Sequence, residues 1–531
     1  MEELDHYSKL LRLGKISRRQ FMTRALALGA GATIAAHLAP GKLLADMPKK
    51  GGKLRIGIGH GSTSDTLDPA TFLQSYTQFV GWGLRNNLTE VSNTNELVPE
   101  LAESWEASAT ADEWRFKLRK GVEFHNGKTL DADDVIASIN HHRGEDSKSA
   151  AKSIVDAVVD IKADGSDTVV FTLREGNADF PFIVSDYHMP IMPAKDGMLL
   201  DPMSGVGTGG YVLNNFDPGV RTTMTRNPNY WKEDRAHFDA CEVLAIVDVA
   251  ARTNALTTGE IDAMDRVDLK TVNLLARDDS VRIEEVSGTQ HYTFAMRTDT
   301  APFDNNDVRL ALKYGIDRQV LVDTILFGHG ALGNDHPIGQ SNRFHADGLA
   351  QRPYDPDKAK FHLKKAGLDS LSVDLSAADA AFTGAVDAAV LYREQAAAAG
   401  IDINVVREPN DGYWSNVWMQ KPWSAVFWGG RPTEDWMFSM AYAAGAAWND
   451  SFWAHERFNE LLIEARAELD DAKRREMYFE MQQLVSDEGG VVIPMFANYV
   501  MAFAKNLHLM DSIGANLDLD GVKGMERWWF S

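Results

Sequence analysis

The sequence predicts a mixed α/β protein of two or three domains, and three observations carry that prediction. At 531 residues and 44% apolar composition, the chain is too long for one hydrophobic core. Short stretches such as Lys53 to Ile58, Trp114 to Leu118 and Ile401 to Val406 alternate polar and apolar residues as half-buried strands do. Thr383 to Ala399 reads as a helix that stops at Gly400 and leads straight into the strand at Ile401. Helix, glycine, strand is the unit of an α/β layer.

Taken in order, residues 1–45 read as an export signal. Ser17-Arg18-Arg19-Gln20-Phe21-Met22 precedes an uncharged Ala- and Gly-rich run from Ala25 to Leu38, which ends near Pro40 and the small residue Ala45. Paired arginines before such a run mark the twin-arginine pathway. The run falls short of the roughly 20 apolar residues that a spanning helix needs, and no later segment reaches that length. The exported chain is therefore expected to be soluble and to start at Asp46. With residues 1–45 removed, 47 basic and 73 acidic residues remain, a formal charge of −26. Such acidity argues against nucleic acid or anionic membrane as partner. The single Cys241 excludes an internal disulfide and any multi-cysteine metal site.

After the strand at Lys53 to Ile58 comes a Gly-, Ser-, Thr- and Asp-rich loop to Pro69 and then a helix around Gln74 to Leu84. Trp114 to Leu118 leads through the turn Arg119-Lys-Gly121 to a helix capped by Asp131, with Asp134 three residues on, running to about His142. Further helices are expected at 306–314, 317–326, 456–469, 471–487 and from Pro356 to Gly367, where Pro sits at a first turn and Gly at a stop. Val491 to Phe503 reads as a closing strand. Low-complexity linkers and internal repeats are absent from the sequence, so crossings between domains are expected to be short strands.

Three apparent motifs do not hold. Gly121 to Thr129 resembles a phosphate-binding loop, but five residues separate Gly121 from Gly127 where four are required. Gly205-Val-Gly-Thr-Gly-Gly210 satisfies G-x-G-x-x-G, yet alternating strands follow it instead of a helix, so no helix N-terminus is available to a dinucleotide. His125, His141, His142 and His188 lack ligand spacing, and the adjacent pair would point to different sides of a helix. Structural or surface roles are expected for them, with no metal and no cofactor.

The stretch from Tyr413 to Trp453 concentrates the chemistry, with seven of the 13 tryptophans: Trp414, Trp418, Trp423, Trp428, Trp436, Trp448 and Trp453. Ser424 to Trp428 reads as a strand that breaks at Gly429 and Gly430 and delivers Arg431, Glu434 and Asp435 just beyond. Glycines let a ligand approach the backbone, indoles supply apolar area with one donor each, and a guanidinium offers a planar fork to a carboxylate. The ligand-binding residues predicted are Trp428, Gly429, Gly430, Arg431, Asp435, Trp448, Asn449, Trp453 and Tyr292. Two alternatives stay open: a tryptophan-rich core without a ligand, and a surface pair of Arg431 with Glu434 or Asp435.

Several blocks together carry a resemblance. They are Leu97 to Trp105, Gly121 to Val135, Gly207 to Tyr211 with Arg226-Asn-Pro-Asn-Tyr-Trp231, Leu256 to Asp262, Phe303 to Leu312 with Ile316-Asp-Arg318, Tyr354 to Ala359 and Val491 to Phe496. In this order they resemble the extracellular solute-binding proteins of dipeptide, oligopeptide and nickel ABC importers, solute-binding protein family 5, over essentially the whole exported chain. The resemblance implies a two-lobed periplasmic-binding-protein fold with hinge strands, Gly288 to Met296 among them, and an extra subdomain on the first lobe. Lobe I would comprise 46–88, 200–297 and 505–531, the subdomain 89–199 and lobe II 298–504. It also implies capture of a small-molecule or peptide ligand and its delivery to an inner-membrane ABC permease with its ATPase subunits; with the signal at residues 1–45, the protein is expected in the periplasm after export by the twin-arginine machinery, as a monomer. In peptide-binding members an acid directly after Trp-x-Gly pairs with the ligand's α-amine; here Trp428-Gly-Gly430 is followed by Arg431. A cation cannot pair with an ammonium, so the departure shifts the expected ligand toward a carboxylate such as an opine, an acidic peptide or an acylated amino acid, with Glu434 or Asp435 left to reach an amine.

The rival classes are an exported hydrolase and a ligand sensor. G-x-S-x-G, H-E-x-x-H and a cysteine nucleophile arrangement are all missing, and His455-Glu456 lacks the second histidine. Carboxylate pairs stay open as catalysts, because 76 acidic residues offer too many combinations. A non-enzymatic binding role is the expectation.

Overall fold

The computed structural model describes residues 48–410 and 412–531, so the expected twin-arginine signal and its cleavage site lie outside the described residues. No helix among the described residues is long and apolar enough to cross a membrane.

The chain opens with strand β1 (Lys53–Ile58) and the buried helix α1 (Ser75–Leu84). A small four-stranded sheet follows, built from β2 (Ala102–Ala107), β3 (Glu113–Leu118), β4 (Val158–Ala163) and β5 (Thr168–Leu173) in the order β2-β3-β5-β4. Helix α2 (Ala132–Asn140) lies between β3 and β4 in sequence. Asp131 caps it in a full capping box, accepting from Asp133 N and Asp134 N while the Asp134 side chain accepts from Asp131 N. This unit has its own core, in which Trp114, Phe116, Phe171 and Phe180 pack ring on ring.

The main sheet collects eleven strands from both ends of the chain. Antiparallel β6 (Tyr211–Asp217) and β7 (Arg221–Arg226) lead to β8 (Ala240–Ala245), which runs parallel to β1, and β1 runs parallel to the short β9 (Ala263–Met264). The long β10 (Val281–Met296) follows, then helix α3 (Asn306–Tyr314), β11 (Gly330–Leu332) and helix α4 (Pro356–Lys365). Next come β12 (Leu371–Ala377), helix α5 (Ala385–Ala396), β13 (Ile401–Arg407), β14 (Trp423–Trp428), helices α6 (Glu434–Ala441), α7 (Glu456–Ala467) and α8 (Asp471–Glu488), and the long β15 (Val491–Ala504). The strand order is β6-β7-β8-β1-β9-β15-β10-β14-β12-β13, with β11 on β15.

That order shows how the two halves join. β15 pairs with β9 near Ala502 and Phe503, whereas β10 pairs with β14 from His291 to Met296. The antiparallel pair β10 and β15, bonded from Val281 opposite Ala504 to Ala295 opposite Val491, therefore belongs to both halves of the sheet. Its ladder shifts between Ser287 and His291 and again between Tyr292 and Phe294; the first shift holds Gly288, where a Cβ would meet the Tyr499 ring at 2.8 Å. Separate cores lie to either side: one of Leu54, Ile56, Phe79, Val243 and Phe503, the other of Phe294, Leu312, Leu375, Tyr392 and Ile403.

The glycine-rich Gly205 to Gly210 packs on the end of α1, where a Cβ on Gly207 or Gly209 would meet the backbone of Leu84 and Arg85 within 3.0 Å. It is a packing turn and not a cofactor cradle.

Candidate functional site

β14 is an apolar strand held by β10 on one side and touching β12 on the other. At its end Gly430 lies so close to β10 that a Cβ would stand 1.5 Å from Thr289 Oγ1, so no other residue fits. The chain then turns and Arg431 folds back. Its Nη1 donates to Gly429 O at 2.9 Å and Gly430 O at 3.0 Å, and Nη2 lies 3.4 Å from Met440 Sδ. No carboxylate stands within ion-pair distance of it among the described residues. Burial pulls the guanidinium pKa down, with the phenols of Tyr187 and Tyr499 and the Asp186 carboxylate opposing that effect. A planar donor fork is thus held by its own backbone at the wall of a cavity of about 890 Å³.

Both halves of the molecule line this cavity: Tyr292, Gly429, Gly430, Arg431 and Trp448 from one, Asp186, Tyr187, Arg266, Tyr499 and Asp518 from the other or from the long strands. Tyr292 stacks on Phe382 with ring centroids 4.1 Å apart, presenting a rigid aromatic floor. Trp448 is 47% exposed and rests against Trp428.

Four of the predicted contact residues do other work. Trp428 is buried and donates from Nε1 to Asp450 Oδ2 at 3.1 Å, as Trp418 does at 3.2 Å; it backs Trp448 and is not on the cavity wall. Asn449 spends its amide on Ala443 O and Trp453 O and accepts from Ser451 Oγ. Trp453 stacks on His455 and packs on Phe458 in the core of the helical layer. Asp435 pairs with Arg466 Nε at 3.0 Å, and Glu434 accepts from Phe344 N at 2.7 Å. Being near Arg431 in sequence did not place these acids beside it, because α6 begins at Glu434 and its first turn carries both side chains into the protein. Of the seven clustered tryptophans, Trp436 and Trp448 line the cavity. The proposed surface pair of Arg431 with either acid is also absent from the structure.

The residues that sequence reasoning missed come from distant stretches. Asp186, Arg266, Tyr499 and Asp518 meet only through the sheet order and the C-terminal segment, and no local pattern announces them. The four histidines are held by hydrogen bonds: His125 to Gly209 O, His141 to Asp68, His142 to Ser149, and His188 to both Asp186 and Phe72 O. Elsewhere Glu90, Glu100 and Glu526 converge in the manner of metal ligands, but Lys232 Nζ sits 2.7, 2.7 and 2.8 Å from them and fills that place.

Burial sets the protonation of two acids behind the wall. It pushes Glu434 up to about 7 and Asp450 up to about 6. An acid whose pKa is higher folded than unfolded binds its proton more tightly in the folded state, so its contribution to stability is lost as pH rises from the unfolded value toward the folded one. Glu434→Gln keeps an acceptor for Phe344 N and removes the charge. The variant is expected to gain stability relative to the parent between pH 4.5 and 7.5, by on the order of 3 kcal/mol. Denaturant titrations across that range check it, and a pH-independent difference would show that Glu434 titrates normally.

The chain matches the family model described as bacterial extracellular solute-binding proteins, family 5, middle, over residues 96–450. It is 26% identical over 452 residues to the dipeptide-binding protein of Escherichia coli (strain K12), covering 77% of this chain and 83% of that protein. The structure of HbpA2 from Haemophilus parasuis superposes with a TM-score of 0.80 at 19% identity, covering 90% of this chain and 100% of that one. AgaA in complex with agropinic acid, from A.tumefacien R10, superposes at 0.73 with 22% identity over 90% and 99% of the two chains. The two superpositions are likenesses of fold, and that fold is the two-lobed α/β type of periplasmic binding proteins. A family match over more than half of the sequence, on a two-lobed frame with a cavity lined from both halves, places this chain among the bacterial extracellular solute-binding proteins of family 5.

Proposed function

We propose that this protein is the exported capture component of an ABC importer, taking a carboxylate-bearing small solute of peptide or opine type into the interlobe cavity. A separate inner-membrane permease with ATPase subunits receives it, the protein works in the periplasm as a monomer, and residues 1–45 direct it there by the twin-arginine route. Lobe I is assigned to 46–88, 200–297 and 505–531, its subdomain to 89–199 and lobe II to 298–504. The ligand contacts assigned are Gly429, Gly430, Arg431, Trp448 and Tyr292. The observation that carries this reading is Arg431: a half-buried guanidinium on the cavity wall, oriented by two carbonyls and in no ion pair among the described residues. Such a group favours a planar anion, because a charge-assisted fork is directional and strong. The relatives' names, a dipeptide-binding protein and a complex with agropinic acid, support a solute of that class.

Calorimetry with a panel of dipeptides and opines, agropinic acid included, tests it. The best binder should lose at least tenfold in affinity when its carboxylate is converted to a carboxamide. Equal binding of acid and amide would overturn the assignment.

A further inference from the structure

The acids following Arg431 are engaged by Phe344 N and Arg466, so a ligand amine has to be received elsewhere. Asp518 on the same cavity is 8% exposed, and its side chain accepts one hydrogen bond, from Leu519 N at 2.8 Å. It is in no ion pair among the described residues. Close by is Asp265, fully buried, whose Oδ1 accepts from Gly59 N and meets Arg252 Nε at 3.4 Å, while its Oδ2 has no hydrogen bond and lies 3.9 Å from Arg266 Nε. Burial first, and then the Asp265 charge, push Asp518 up to about 7, with Arg266 and Arg252 opposing. The Arg266 side chain is 55% exposed and keeps its water, so it does not satisfy a carboxylate that has lost its own.

The backbone around Asp518 is unusual in the same direction. Leu519, Asp520, Gly521 and Val522 have φ of 53°, 62°, 66° and 50°, four successive left-handed residues of which three carry side chains. L-residues disfavour that conformation, and it persists only where the surroundings over-determine it. Asp520 does so here: it accepts from Gly514 N at 2.6 Å, Arg527 Nη1 at 3.0 Å and Trp528 Nε1 at 3.3 Å. The turn therefore presents Asp518, Gly521, Val522 and Lys523 to the cavity as a fixed edge. Tyr499 lies within electrostatic reach of Asp518, Arg266 and Arg431 alike, which puts the carboxylate and the Arg431 guanidinium around one phenol.

We propose that Asp518 receives a cationic nitrogen of the ligand, so that the cavity selects a zwitterionic solute with its carboxylate toward Gly429–Arg431 and its ammonium toward the left-handed turn. This rests on the reading of Arg431 and reverses the polarity in which a Trp-x-Gly-acid site holds its ligand. A buried, nearly unpartnered carboxylate is unfavourable in the empty protein and favourable once a cation arrives.

The test is a thermal-shift and calorimetric comparison of three pools of dipeptides, free, N-acetylated and C-amidated, on the wild-type protein, Asp518→Asn and Arg431→Ala. Wild type should bind the free pool at least tenfold more tightly than either modified pool. Asp518→Asn, which keeps an acceptor for Leu519 N, should no longer distinguish free from N-acetylated peptides yet still reject amidated ones, and Arg431→Ala should do the converse. Wild type binding free and acetylated pools alike overturns Asp518 even if the variant fails to fold, and rejection of the amidated pool would then leave Arg431 standing. Loss of discrimination only against amides would sink the Arg431 reading instead. No shift with any pool at millimolar concentration overturns the zwitterion assignment.

Discussion

Arg431→Ala is expected to lower affinity for a carboxylate ligand by on the order of 2–5 kcal/mol, tens to thousands of fold. The size follows from what is removed: a charge-assisted pair in a closed cleft, with the ligand anion left without its partner. Arg431→Lys should recover only part of the loss. An ammonium keeps the charge and could donate to Gly429 O and Gly430 O as Nη1 does, but it has no second nitrogen to offer the ligand a planar fork. Because those bonds also close the turn after β14, circular dichroism and melting of the unliganded variant should accompany calorimetry. A variant that folds normally and binds the acid undiminished would show that the guanidinium is only a brace for its own turn.

The largest effect on stability is expected at Lys232. Its ammonium is shared by Glu90, Glu100 and Glu526, joining a strand hairpin of the N-terminal half to the C-terminal segment. Burial alone would lower its pKa, but the three carboxylates outweigh that and hold it well above the usual value, while Lys232, Lys523 and Arg527 hold Glu90 well below its own. Lys232→Met removes one cation from a buried network and should cost about 3–5 kcal/mol, the magnitude for an uncompensated buried charge. Guanidinium unfolding followed by tryptophan fluorescence measures it. Adding Glu100→Gln should restore part of the loss by returning the charge balance, and a single variant within 1 kcal/mol of the parent would mean that Lys523 and Arg527 suffice.

The fold was readable where its determinants are local. The cap at Asp131, Pro356 at the start of α4 and Gly400, left-handed at φ 78°, before β13 each placed an element within a few residues. The site was readable only in part, for the same reason. Gly429, Gly430 and Arg431 announce themselves as a strand end, but Asp435 and Asn449 looked equally available until α6 and the loop to α7 turned their polar groups inward. Trp428 and Trp453 misled because an indole has the same composition whether it faces a ligand or a helix. Arg266, Tyr499 and Asp518 lie as much as 252 residues apart in sequence and are neighbours only because β9, β15 and the C-terminal turn converge. Local pattern holds no record of that convergence.

The long pair β10 and β15 has a mechanical consequence. Two ribbons bonded side by side resist stretching and shear strongly and twisting weakly, and the ladder is interrupted between Ser287 and His291, where Gly288 lies against the Tyr499 ring. One break of the ribbon and the wall of the cavity therefore share one side chain. On the proposed reading, a solute resting on Tyr499 would press on that break in the ladder, so the angle between the lobes and the occupancy of the cavity would vary as one coordinate.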